Sequence, residues 1–135
     1  MLTGVQRRYA ILDDNQRLLE ERLALLRSVL PALVARRVCA AMVIGSVAEG
    51  RARDASDVDL VLVLAEGDPR RTDYAWWDTE VRPMLPDGKR FPVQPVFISR
   101  ASVRTTEPQL RRALDGGLRL WDPEDVLHDQ SQARA

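Results

Sequence analysis

The chain has a single cysteine and a single histidine among its 135 residues, its charges cancel at twenty basic against twenty acidic, and it contains no long apolar run. Each shortage excludes something. One cysteine, Cys39, cannot close an internal disulfide, and the only histidine, His128, lies in a polar tail, so a Cys–His nucleophile is not favoured. Cys39 is instead expected to pack beside a strand as a small hydrophobe. A balanced charge gives no general attraction for nucleic acid or for a membrane surface, so any phosphate binding has to be local. With no charged-then-apolar leader and no membrane-length segment, the expected setting is cytoplasmic and reducing, without a membrane partner. There are no internal repeats, and the length suits one domain with a real core. The organisation expected is a single domain over 1–135, with an N-terminal helix over about 14–35, a core over about 38–121 and a polar tail over 122–135.

What the chain does have is concentrated between Cys39 and Leu64. Ala40 to Ile44 is too short an apolar run for a buried helix, and Gly45-Ser46 ends it in a turn, so a strand should deliver Ser46 to a helix start. Glycine at 45 lets backbone approach a ligand, while the Ser46 hydroxyl and the first free N–H groups can hold a phosphate. From Asp57 to Leu64 the pattern alternates, putting Asp57, Asp59, Val61 and Val63 on one strand face. Carboxylates two apart on a strand sit roughly 7 Å apart at the backbone and can converge on a hard cation such as magnesium. A Gly-Ser phosphate cradle facing an Asp-Val-Asp clamp is the equipment of metal-assisted phosphoryl or nucleotidyl transfer. Asp57, Asp59 and Ser46 are thus the catalytic candidates and Asp57 and Asp59 the metal ligands. Gly45, Ser46, Arg51 and Arg53 are the nucleotide-binding candidates, the two arginines because a guanidinium can grip phosphate oxygens in pairs.

Gly45-Ser46, the ten residues Val47 to Ser56, and Asp57-Val58-Asp59 together resemble the signature of the minimal nucleotidyltransferases of the DNA polymerase beta superfamily. The likeness is close over Met42 to Leu64 and loose as far as Trp121. It implies transfer of a nucleoside monophosphate, AMP from ATP, with one or two Mg2+ ions. It also implies an α+β nucleotidyltransferase fold. The antitoxin members of that family adenylylate a HEPN-type ribonuclease toxin, so the resemblance implies a protein acceptor in a toxin–antitoxin pair. Two alternatives stand beside it: a small-molecule acceptor of the aminoglycoside kind, and a catalytically weakened module that binds and neutralises or scaffolds its partner. The last arises because the family places a third carboxylate on the following strand, where this chain matches it with Gln94, and an amide is neither a base nor a good magnesium ligand.

Elsewhere, leucines at 19, 23, 26, 30 and 33 predict an amphipathic helix over about 14–35, kinked or restarted at Pro31, facing the core or in part a partner helix. Tyr74, Trp77, Val81 and Leu85 predict a helix over about 72–84 with those side chains in the core, and Trp76, off that stripe, is a candidate exposed anchor. Arg90 to Ser99 reads as a strand weakened by two prolines, which should lie at a sheet edge or begin irregularly. Thr106 to Gln109 reads as a capping box for a helix to Leu114 ended by Gly116-Gly117, followed by a strand over 118–121 and a brief helix near 124–127. The sheet is expected to be small and mixed, with the strands at 42 and 57 central and helices mainly on one face.

Overall fold

The computed structural model describes residues 17, 20–45, 48, 58–85 and 92–127. Helix α1 covers residues 20–28 and helix α2 Leu30–Ala35, with Val29 as the break and Pro31 in the first turn of α2. Proline lacks the N–H that would continue the ladder but is tolerated in a first turn, so the chain restarts instead of bending. Strand β1 is Val38–Ile44 and β2 Val58–Leu64. Helix α3, Arg71–Trp76, runs on through a π-helical turn, Trp77–Val81, and a 3₁₀ turn, Arg82–Met84. Strand β3, Val93–Ser99, leads through a 3₁₀ turn, Arg100–Arg104, to helix α4, Pro108–Asp115, and to strand β4, Leu118–Trp121.

The sheet order is β3-β2-β1-β4. The central pair β1·β2 is antiparallel, β4 adds antiparallel to β1, and β3 runs parallel to β2, so the sheet is mixed and the fold α+β. Its first face carries Val43, Leu60, Leu62 and Phe97 and is sealed by Leu26, Val29 and Leu33 from α1 and α2 together with Trp77 and Val81. The leucine stripe is thereby spent on the core, with Leu23, Leu25 and Leu30 packed around it. The second face carries Met42, Val61, Val63 and Ile98 and is covered by Val103, Leu114, Val126 and Leu127 from short elements. Cys39 and Ala40 both belong to this second face because the β1·β2 register shifts between Val38 and Ala40, and a bulge puts two successive side chains on one side.

Several expectations need correction. Tyr74 is 39 % exposed instead of core. Its ring meets Phe97 edge to face at 5.0 Å, and its hydroxyl accepts the Phe97 N–H at 3.1 Å. Tyrosine suits that job, apolar on its flank and polar at its tip. Trp76 is partly buried against the core, with the Arg36 guanidinium 5.4 Å from its ring centre, so its face is taken within the chain. The cap of α4 is Glu107, whose carboxylate accepts the Gln109 and Leu110 N–H groups at 3.0 and 2.8 Å, while the Thr105 hydroxyl accepts the Glu107 N–H. The brief helix near 124–127 is a turn instead: the Asp122 carboxylate takes the Val126 and Leu127 N–H groups at 2.8 and 2.9 Å and tucks both side chains into the second face. The prolines do hold β3 at an edge, where Pro95 has no N–H to leave unpaired.

Candidate active site

Strand alternation puts Asp59 on the second face with Val61 and Val63, near the start of β2. Its register partner on β1 is Ile44, the residue before Gly45, and its partner on β3 is Gln94. Asp59 is partly buried and Gln94 exposed, so the site lies along the rim of the sheet.

Gly45 adopts φ +80°, a conformation that strains any residue with a side chain, and a Cβ built there would come within 2.9 Å of Asp59 Oδ2. The dihedral calls for glycine, and a side chain there would also push the Asp59 carboxylate aside. Backbone and carboxylate are brought together at the end of two adjacent strands, where a bound group can touch both. A hard, oxygen-donating carboxylate beside bare backbone is the donor chemistry magnesium takes, with water and phosphate oxygens completing its shell. Among the described residues no group of three or more His, Cys, Asp or Glu side chains gathers to hold a metal, and of the two expected ligands Asp59 alone falls within them.

Of the other candidates, Ser46, Asp57, Arg51 and Arg53 lie outside the described residues. Gln94 stands level with Asp59 on the neighbouring strand, where a carboxylate would have reached the same point. Cys39 is buried on the second face, and burial pushes its thiol above the usual range, leaving it a packing residue.

A larger cleft, about 540 Å³, opens at the other end of β2, beside Leu64, between the end of α2 and the start of α3. Its lining sets Arg36, Arg37 and Arg70 against Glu66, Asp68 and Asp73, so no single sign of charge is focused there. Asp73 is already committed to the Arg70 N–H at 2.8 Å and the Arg36 guanidinium at 3.5 Å. Size alone does not make it the chemical site.

A feature that sequence reasoning passed over is the contact behind β1. A Cβ at Gly117 would fall 2.5 Å from Met42 Sδ and 3.0 Å from the Val43 carbonyl oxygen. The Gly116-Gly117 pair reads in sequence as a helix stop, which hides this packing demand.

Comparison with known proteins agrees with the geometry. Residues 26–97, just over half of the chain, match the family model described as a nucleotidyltransferase domain. The chain belongs to that family, and its chemistry is nucleotidyl transfer. The matched segment runs from α1 through the Asp59 strand to β3 and takes in both Gly45 and Gln94. No curated protein and no solved structure matches the chain. Among the described residues, no helix is long and apolar enough to cross a membrane.

Proposed function

We propose that the chain transfers AMP from ATP, with magnesium, to a hydroxyl group on a partner protein, the reading in which it serves as the adenylylating antitoxin of a HEPN-type toxin. The observation that carries the reading is the juxtaposition of the Asp59 carboxylate with the bare Gly45 backbone at the rim of the sheet. The acceptor hydroxyl oxygen attacks the α-phosphorus and gives up its proton to water, the bond from that phosphorus to the bridging oxygen breaks, and pyrophosphate leaves. Magnesium, when bound, supplies positive charge against the triphosphate. Asp59 holds a fixed negative charge where that ion is needed, and Gly45 leaves room for phosphate to lie against the main chain. Gln94 is exposed on the outermost strand, which leaves the acceptor side open to a hydroxyl carried by a large molecule.

The test is incubation with labelled ATP, magnesium and the product of the adjacent gene. Label on that protein, lost in Asp59→Ala, is the expected result. Label on an aminoglycoside in place of the protein would move the acceptor to the small-molecule class.

A second reading is favoured by one observation, the level placement of the Gln94 amide beside Asp59. An amide takes no proton from an attacking hydroxyl, and a missing general base forfeits roughly 10²–10⁴-fold in rate. On this reading the chain binds triphosphate and neutralises its partner by association. Turnover that rises from near zero in Gln94→Asp supports it, whereas robust wild-type transfer abolished by Asp59→Ala rules it out.

A further inference from the structure

We infer that Gly117, which lies beyond the segment shared with the family, is a positioning residue for the site and sets the approach of Gly45 to Asp59. The backbone of Gly117 has no positive φ, so its lack of a side chain answers to space alone. It immediately precedes Leu118, the register partner of Val43 on β1. A Cβ there would meet Met42 Sδ at 2.5 Å, Met42 Cγ at 2.7 Å and the Val43 oxygen at 3.0 Å. The two closest atoms belong to a side chain that is 4 % exposed and packed among Leu114, Val61 and Val63, so it has little room to swing aside. The third atom is main chain, two residues before Gly45. Relief of the clash therefore acts on the contact between the start of β4 and the end of β1.

At that end the tolerance is small. Ile44 pairs with Asp59, and Gly45 already stands so close that a single added carbon would lie 2.9 Å from the carboxylate. Moving the last residues of β1 by a few tenths of an ångström changes the gap in which a bound group touches both. Three consecutive contacts, Gly117 to Met42 and Val43, Val43 through Ile44 to Gly45, and Gly45 to Asp59, connect β4 to the chemistry. The inference rests on the reading of this rim as the triphosphate site.

The experiment compares wild type, Gly117→Ala, Met42→Ala/Gly117→Ala and Leu33→Ala, the last a core change on the opposite face of the sheet from Met42. Calorimetric titration with ATP and magnesium gives affinity, thermal melting gives stability, and the backbone amide resonance of Gly45 reports position without ligand. Gly117→Ala is expected to weaken affinity by roughly ten- to a hundredfold and to shift the Gly45 resonance. The double mutant, with Met42 cut back, should recover most of both. Leu33→Ala should lower the melting temperature while leaving affinity and resonance alone. Should wild type itself fail to bind ATP with magnesium, the functional reading falls and the Gly45 resonance alone decides the positioning role. Should Gly117→Ala not fold, Met42→Ala loosens the same contact and should move that resonance. An unmoved Gly45 resonance in the folded variant, or equal effects from Leu33→Ala, overturns the inference.

Discussion

The two faces of the sheet bury comparable side chains but close in different ways. The first is sealed by α1, α2 and the π-helical turn after α3, and Leu26, Val29, Leu33, Trp77 and Val81 are all fully buried against it. The second is covered by a 3₁₀ turn, the eight-residue α4 and a turn held by Asp122, and it ends in a partly buried aspartate and an exposed glutamine. One face is built to hold the fold together, and the other carries, beside its own core, the polar groups of the candidate site, Asp59 partly buried and Gln94 exposed. Partial burial keeps the cost of holding a charge at the sheet end below that of full burial.

That division can be broken or sharpened by substitution. The largest effect is expected on the sealed face: Trp77→Ala should lose about 3–5 kcal/mol of stability, because a fully buried indole leaves a cavity that cannot collapse. Chemical denaturation measures it, and a loss below about 1 kcal/mol would mean that the first face is not the structural one. On the second face, Asp59→Ala should cut transfer at least roughly a hundredfold. Its unfolding free energy should stay within about 1 kcal/mol of wild type. A protein that melts early and keeps its activity would reverse the assignment of faces.

A smaller effect probes the rim itself. Gly45→Ala should cost about 1–2 kcal/mol through its left-handed backbone. Its contact with Asp59 Oδ2 should also weaken binding of ATP with magnesium, seen by titration. The smallest effect belongs to the cap of α4 on the second face. The Leu110 and Gln109 N–H groups hold the Glu107 carboxyl below its ordinary value of 4.5. A folded-state pKa lowered in this way gives a contribution present above 4.5 and lost as the pH falls through the lower folded value. Melting curves through that acid range should show a shallower decline for Glu107→Ala than for wild type.

How far the structure was legible in the sequence differs along the same division. The heptad-like leucines and the alternation of Val58 to Leu64 are periodic signals that burial obeys directly, so α1, α2 and β2 could be read off with the restart at Pro31. The prolines of β3 pointed correctly to an edge. Tyr74 and Trp76 were misread because helical spacing assigns faces on a regular helix, whereas this one tightens and loosens, with a π turn at Trp77–Val81, and lies against a sheet edge. Glu107 hid its role behind Thr106, since a glutamate is an uncommon cap. Val126 and Leu127 sat in a stretch polar enough to look like a tail, and it is the turn closed by the Asp122 carboxylate that brings them onto the second face. At the site, the spacing of Gly45 and Asp59 was visible, but their closeness, such that an added Cβ on Gly45 would lie 2.9 Å from the carboxylate, depends on register, which no local pattern encodes.

The tyrosine at the margin of β3 has a consequence for how the molecule meets others of its kind. Alternate residues of β3 turn outward, and of these Pro95 offers no amide hydrogen while that of Phe97 is already given to the Tyr74 hydroxyl. A foreign strand laid along this border would find carbonyl oxygens to bond but no free hydrogen at either central rung, and would have to evict an aromatic ring to gain one. At those rungs the border is thus a poor template for sheet-extending polymers, while on the same strand the Gln94 side chain stays exposed to solvent.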